Sequence, residues 1–507
     1  MQDEETAHRR QHVRVAVLAQ ALPVAKTGSL ARRHVAFKTP PHYPSRLISH
    51  DREALVSAPP EFIFDLTRLD GWFHVYMGEG NARFDVPRGP LGVLTYLPFV
   101  PLFWLIPPRA SRAFLIVTSL AVWYATLGPA FVAFLLALLV YYFVATKALT
   151  KGARIVSRDD RMHRHAVRID STTAPPASNA ILAAAVLVMH LPYVALLVYP
   201  RPPFLPSMGP SIVHVTNYLH WCGLAYIHLK AVHVVVDRLQ GRLGRIAAGD
   251  WLAFMLFAPT FKMGPIYRYQ HFVPQLDDSR QNVRIGQGLL RIGLGILRLG
   301  IMAFFLTKQI NSHFFTEPET IRYYKVLISC AAVPIQLYFY LSGYCDIAIG
   351  IGRLMGFRVP EHFRGPWFVN NITDFWKRWS ITLGQWLYDY PFRAMVAARW
   401  PHGLCFVLTF LYCGLWHGLF LCYVWWGLLQ GAGLAVHQVW HRRWLRRKKR
   451  NGPLVRRLRA IGACDGRIGW ALSWLLLLGY QLVTISIASD LHHAGSRFVP
   501  ALLGIRR

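Results

Sequence analysis

Charge is what this chain has least of. Asp, Glu, Lys and Arg supply 16% of its 507 residues, where an ordinary soluble domain carries roughly a quarter. Acidic side chains are scarcer still, 25 against 56 Lys and Arg, which leaves a formal charge of +31. So little charge argues against a water-soluble globule of this length. Cysteine is sparse as well. Its seven positions contain no CxxC pair, and their spacing suits neither a disulfide framework nor a zinc site. Most lie in apolar segments and read as small membrane-embedded hydrophobes. No internal repeat suggests the inverted halves of a transporter. No cleavable signal peptide is visible, because the apolar part of "MQDEETAHRRQHVRVAVLAQALPVAK" is short and interrupted. The basic excess does not point to nucleic acid either, since long apolar runs separate the basic clusters instead of gathering them in one soluble domain.

What is present is hydrocarbon. Hydrophobic residues make up 54% of the chain, with 17 tryptophans. A spanning helix needs about 20 mostly apolar residues, and the segments 90–107, 112–128, 129–148, 178–200, 211–236, 285–309, 324–352, 402–437 and 468–489 qualify. The segment 402–437 is long enough to tilt or to contain a turn. Two further stretches, 251–267 and 371–392, are short or amphipathic and read as re-entrant or interfacial pieces. The fold class is therefore an all-α polytopic membrane protein of about nine to eleven helices of mixed length. Residues 1–88 read as a basic N-terminal extension, cytoplasmic and partly disordered, ahead of a multi-spanning domain over 89–507. The loops 150–168 and 441–459 are strongly basic and flank spans, which places both on the cytoplasmic side.

The chemistry-bearing residues begin in "WLAFMLFAPTFKMGPIYRYQHFVPQL", where Gly264-Pro265 breaks the helix and Arg268 follows. The break reads either as a loop lining a polar cavity or as a plain turn. In "FYLSGYCDIAIGIGRLMGF", Asp346 is an intramembrane carboxylate, a functional candidate by default. Arg353 lies two turns on and on the same face, so a structural Asp–Arg pair fits as well. "VNNITDFWKRWSITLGQWLYDYPF" reads as one amphipathic helix. Trp376, Trp379, Leu383, Trp386, Leu387 and Tyr390 share one arc, Asp374, Arg378, Gln385 and Asp389 the other, and Ser380 sits at the edge. Asn371-Ile-Thr373 matches a glycosylation sequon but is expected to be a helix cap. Finally, "LYCGLWHGLF" places His417 between Gly414 and Gly418 in an apolar helix, with Trp416 pointing away. The flanking glycines would clear space around the imidazole, and burial would keep it neutral and able to accept a proton. A hydrogen-bonded structural histidine fits the same residues.

Taken in order, "MGPIYR", "SGYCDIAIGIGRLMGFRVPEHF", "NITDFWKRWSITLGQWLYDY" and "GLWHG" followed by "WWGLLQG" resemble the membrane-bound O-acyltransferase (MBOAT) superfamily. The likeness is greatest to its bacterial branch, which includes alginate O-acetylation and teichoic-acid D-alanyl transfer proteins. It covers residues 251–435. The resemblance implies a ring of helices around a central tunnel joining the two membrane faces. An acyl thioester, acetyl-CoA or a phosphopantetheinyl carrier protein, would dock from the cytoplasm as substrate, with no tightly bound cofactor and no metal. A hydroxyl acceptor of the cell envelope or an exopolysaccharide would meet it there. His417, in the family's "WHG", is implied to be the general base. Ser380 is the implied second catalytic position, though the bacterial branch usually carries a second histidine there, in "RRWH". Either His417 does the acid–base work alone, or Asp374, Asp389 or His362 assists, or the acceptor is altered, or the member is inactive. Arg268, Asp346, Asp374, Arg378, Trp379 and Trp416 are candidate substrate-binding or tunnel residues. The implied partners are the lipid bilayer of a bacterial inner membrane, an acyl-carrier protein and a periplasmic acyl-accepting or SGNH-type protein, with no nucleic acid. Acetyl transfer is the first expectation and D-alanyl transfer the second. A transporter or non-catalytic scaffold of an export complex is the rival from another class, favoured by Asp346 and Arg353.

Overall fold

The computed structural model describes residues 90–151, 179–198, 223–302, 323–419, 421–450, 452–453, 455–456 and 467–490. The expected N-terminal extension over 1–88, most of the basic loop 150–168 and part of 441–459 lie outside the described residues, as do Cys222 and Cys464. Every regular element among the described residues is helical.

A 3-10 turn over Pro90–Tyr96 leads into α1 (Phe99–Leu105) and then α2 (Ser111–Leu149). α2 is broken at Gly128, where φ is 83°. The cause is Pro129, which has no amide to donate and pushes the preceding residue out of helical geometry. The sequence boundary expected between 128 and 129 falls at this break. α3 (Asn179–Val198) and α4 (Leu224–Leu239) follow, α4 buried along nearly its whole length. α5 (Ala248–Leu256) ends early, and the backbone runs irregularly through Gly264-Pro265. That stretch is enclosed in protein, the condition under which a bilayer tolerates non-helical backbone. α6 (Ile285–Leu297) and α7 (Tyr323–Leu354) form one antiparallel pair.

The segment expected as a single amphipathic helix over 371–392 is instead divided. α8 (Ile372–Trp376) stops, the chain turns through Ser380, and α9 (Ile381–Leu387) restarts before a π-helical turn at Tyr388–Phe392. The expected cap is found: the Asn371 side-chain Oδ1 accepts from the Asp374 amide at 2.8 Å. Residues 402–437 contain a turn and hold α10 (His402–His417) and the start of α11 (Leu421–Arg450). α12 (Arg467–Asp490) is the last element among the described residues.

Among the described residues, Pro108–Leu149 and Ile468–Ile485 are long and apolar enough to cross a membrane alone. Their outer faces leave Val117, Tyr124, Val140, Val144, Leu472, Leu475 and Leu476 exposed. Apolar surface of that extent is unusual on a water-soluble monomer and suits lipid contact.

In hydrocarbon, helices gain little by hiding apolar side chains from lipid, so close backbone packing must hold them together. Glycine makes that contact. A Cβ on Gly295 of α6 would lie 2.6 Å from the Gly343 carbonyl of α7, and one on Gly350 would lie 2.7 Å from the Gly288 carbonyl. α10 and α11 meet in the same way. A Cβ on Gly414 would stand 2.2 Å from the Tyr423 carbonyl, one on Gly427 2.5 Å from Phe410 O, and one on Gly431 2.5 Å from Val407 Cα.

These contacts separate two substitutions on one helix. Gly295→Ala should destabilise the protein by about 1–3 kcal/mol through overpacking against backbone that cannot yield. Gly293→Ala, two positions away and facing open space, should be neutral or stabilise by up to about 1 kcal/mol from helix propensity. Thermal unfolding of the two variants in detergent checks this, and equal effects would count against glycine packing as the source.

Candidate active site

The glycine contacts set where His417 stands. α10 and α11 run antiparallel with their backbones touching, and His417 is the last residue of α10, at the tip of this hairpin. Gly418 lies just past the helix end in extended backbone, its amide donating to the Gly414 carbonyl at 3.2 Å. The sequence expectation that both glycines clear room for the imidazole is therefore revised: Gly414 makes room for the backbone of α11. The partly buried ring is instead walled by aromatics. Its centroid lies 4.7 Å from that of Trp416, 5.6 Å from Trp426 edge-on, and 5.7 Å from Tyr423.

The Trp416 ring borders His417 and at the same time reaches α4. Its indole N–H reaches the Ala225 carbonyl at 3.4 Å, and its ring meets Tyr226 edge-on. The peptide joining Trp416 to His417 is held from behind, because the Tyr193 hydroxyl donates to the Trp416 carbonyl at 2.6 Å. Tyr193 stacks on His228 at 4.6 Å, and His228 Nδ1 lies 3.1 Å from the Tyr142 hydroxyl. A strut from α2 through α4 and α3 thus ends on the backbone of the candidate base.

Trp376, the residue just before "KRWS", reaches the same neighbourhood through Trp426. That indole packs against Trp376 of α8 at 6.0 Å on one side and against His417 on the other. Trp376 donates to Gln430 Oε1 at 3.1 Å. Gln430 in turn donates to Gln481 Oε1 and Thr484 Oγ1, at 3.0 and 2.7 Å. These fully buried amides are satisfied by one another, as hydrocarbon surroundings demand, and they join α8, α11 and α12. Trp379 is buried in a separate aromatic cluster, stacked on Phe375 and edge-on to Trp367 and Phe363.

Ser380 adopts φ 44° and ψ 51°, the left-handed region, and its side chain makes no helix cap. A side chain larger than hydrogen costs about 1–3 kcal/mol there, and such conformations persist only where neighbouring structure imposes them. Here the imposition is visible. The Arg364 amide donates to the Arg378 carbonyl at 3.0 Å and the Ile381 amide to the His362 carbonyl at 2.8 Å, bracketing the turn. Thr382 Oγ1 accepts from the Ile266 amide at 2.7 Å and lies 2.8 Å from His362 Nδ1. With the Ile266 amide already donating to Thr382 Oγ1, the threonine hydroxyl is free to donate to Nδ1, which puts the imidazole proton on Nε2. Burial pushes His362 down to about 3, so the ring is neutral at ordinary pH.

Arg268 donates to Asp389 at 3.0 Å and to the Tyr390 hydroxyl at 2.7 Å, and stacks over the Tyr390 ring. It ties "MGPIYR" to "YDYPF". Gly264 belongs in that loop because a Cβ would stand 2.6 Å from Thr260 Cα. Asp374 accepts from Asn371 and Lys377 at the start of α8. The Arg378 carbonyl is the bracket acceptor already described.

Asp346 is engaged differently from the sequence expectation. Its two oxygens accept from Arg291 and Arg298 of the α6 side. Arg353, expected on its face, donates to Gln287 and pairs with Glu361 instead. The reason is the glycine contact between α6 and α7, which brings Arg291 and Arg298 closer to the carboxylate than a residue two turns along its own helix can come.

Sequence reasoning passed over α4. His228, Lys230, His233 and Asp237 are all buried on it. Lys230 donates to the Phe254 carbonyl at 3.3 Å and lies over the Phe254 ring. His233 Nε2 accepts from the Tyr269 amide, leaving Nδ1 to face Asp237 Oδ2 at 3.5 Å, and Asp237 also receives Arg242. The rule that flagged Asp346, an ionisable group inside an apolar span, was the available signal for "HLKAVHVVVD".

A membrane helical protein with a histidine at the tip of a glycine-packed hairpin, walled by tryptophan and joined to a strained serine turn, is the class these features define. Comparison with known proteins gives the family. The model of the membrane-bound O-acyltransferase family matches residues 208–464, half of the chain, and the chain belongs to that family. It is 26% identical over 269 residues to a teichoic acid D-alanyltransferase of Streptococcus thermophilus, covering 49% of this chain and 63% of that protein. It is 32% identical over 202 residues to a peptidoglycan O-acetyltransferase of Helicobacter pylori, covering 38% and 37%. It is 28% identical over 298 residues to a probable alginate O-acetylase of Pseudomonas syringae pv. tomato, covering 58% and 54%. The chain thus spans between 37% and 63% of the length of these relatives.

The ion pairs of Asp346 make a prediction. Asp346→Asn removes this counter-charge from Arg298 and leaves Arg291 with Glu361 alone, and should lower stability by up to about 3 kcal/mol, seen as a reduced unfolding temperature. An unchanged unfolding temperature with a raised KM would instead make Asp346 a substrate contact.

Proposed function

We propose that this chain is an O-acyltransferase of a bacterial inner membrane, with His417 as its general base. The observation that carries the reading is the place of His417: at the tip of a hairpin, bordered by aromatic rings, inside the segment that matches the family. The neutral imidazole takes the proton of an acceptor hydroxyl as that oxygen attacks the carbonyl carbon of an acyl thioester. The C–O bond forms, the C–S bond breaks, and the imidazolium returns its proton to the departing thiolate. An ester and a free thiol result, with no proton gained or lost overall.

In this reading the helices surround a tunnel, nine to eleven of them spanning the bilayer. The thioester, acetyl-CoA or a phosphopantetheinyl carrier protein, enters from the cytoplasm. The acceptor is a hydroxyl of a cell-envelope or exported polysaccharide, reached directly or through a periplasmic SGNH-type partner. Ser380 hydrogen-bonds the substrate and moves no proton, because an alcohol is too weak an acid or base at neutral pH. Acetyl is the acyl group favoured, in line with the peptidoglycan O-acetyltransferase and probable alginate O-acetylase among the relatives. D-alanyl is the second reading, supported by the teichoic acid relative, whose own length is matched over 63%. The transporter reading leaned on Asp346 and Arg353 as path-lining groups, and both are held in ion pairs or hydrogen bonds to neighbouring side chains.

His417→Ala should lower the rate of acyl transfer by about 10²–10⁴-fold, the range expected for loss of a general base, with the unfolding temperature retained. Purified protein given radiolabelled acetyl-CoA, or a D-alanyl carrier thioester, with an oligosaccharide acceptor measures it. Full activity in the variant would remove His417 from the chemistry.

A further inference from the structure

Among the described residues, Ser380 and Arg399 are the non-glycine residues with positive φ. Arg399 lies on an exposed turn. Ser380 is buried, stands between α8 and α9, and occupies the second catalytic position of the proposed reaction. Nothing in its own side chain favours the left-handed conformation, since it caps no helix. What holds it is the segment around His362, which lies 18 positions earlier in the chain and reaches both flanks of the turn.

We propose that His362 is the positioning residue for Ser380, presenting its hydroxyl to the substrate carbonyl by gripping the two residues that follow it. The grip has a backbone and a side-chain part. The His362 carbonyl accepts from the Ile381 amide at 2.8 Å, and His362 Nδ1 is 2.8 Å from Thr382 Oγ1. The Arg364 amide closes the bracket on the other flank, at the Arg378 carbonyl. Thr382 passes the hold on to the Ile266 amide of the "MGPIYR" loop at 2.7 Å. Three separate segments therefore share one hydrogen-bonded junction directly behind Ser380. His362 is buried within it at 2% exposure, and its imidazole stays neutral, so it moves no proton.

The chemistry follows from the bracket. When the acceptor oxygen attacks the thioester carbon, negative charge gathers on the carbonyl oxygen. A hydroxyl already aimed at that oxygen stabilises it without reorganising. A serine free to leave the left-handed region would point elsewhere. Without the imidazole the backbone bracket remains but loses its anchor to Thr382. Displacements of about 1 Å at a reacting centre can cost on the order of 10²-fold in rate. The inference rests on the O-acyl transfer reading, because it takes Ser380 as substrate-facing.

A double-mutant cycle on the full-length purified protein tests it. Initial rates of thiol release are measured for the unaltered chain, His362→Ala, Ser380→Ala and the double variant. The probes are acetyl-CoA and a D-alanyl carrier thioester, each with an oligosaccharide acceptor. His362→Ala should lower kcat by about 10- to 100-fold with KM within about twofold, while in the Ser380→Ala background it should change kcat by less than about twofold. His362→Gln, whose amide can still pair with Thr382, should recover most of the loss. Should His362→Ala not fold, Thr382→Val carries the same cycle. An equal loss in both backgrounds overturns the positioning role and leaves the acyl-transfer reading intact. Absence of turnover in the unaltered chain with either thioester overturns both.

Discussion

Close contact between helix backbones is the constraint on which the rest of this structure depends. Lipid is as apolar as leucine, so burying side chains between helices gains little over leaving them in the membrane. What remains is packing at short range, and glycine alone lets two helical backbones approach that closely. The α6–α7 pair is joined through Gly288, Gly295, Gly343 and Gly350, and the α10–α11 hairpin through Gly414, Gly427 and Gly431. The first contact delivers Arg291 and Arg298 to Asp346. The second fixes the tip on which His417 stands.

Polar groups do a different task. Among the described residues they join one element to another. Trp376, Gln430, Gln481 and Thr484 connect α8, α11 and α12. Thr382 and His362 connect the "MGPIYR" loop, the "PEHF" segment and the "KRWS" turn. Arg268 connects the same loop to Asp389 and Tyr390. The family motifs, scattered over 251–435 in the chain, are thus held together by hydrogen bonds between motifs. Each bond is satisfied at both ends, since an orphaned polar group in this setting is costly.

Much of the candidate site was legible in advance because its signals are local. Asn371 caps α8, as the reading of Asn371-Ile-Thr373 as a helix start expected, and the Gly128–Pro129 break falls where the two apolar runs divide. The turn inside 402–437 was allowed by length alone. The break at Ser380 was not legible, since Trp376 to Tyr390 follows helical periodicity without interruption and nothing local forbids a continuous helix. It is imposed by Arg364 and His362 from another segment. For Asp346 the one pairing the sequence offered, beside a functional role, was Arg353 on its own helix, because periodicity sees only that helix. The buried ionisable groups of α4 were visible as residues, but their satisfaction by Phe254, Tyr269 and Arg242 required the packed chain.

The sequence by itself determined the membrane class, the boundaries set by proline and glycine, and the histidine, because composition, periodicity and motif spacing are properties of neighbouring residues. Only the tertiary structure decided which groups meet His417 and what holds Ser380. Those contacts join residues up to 223 positions apart, as Tyr193 to Trp416 does, and no local preference encodes a distance of that kind.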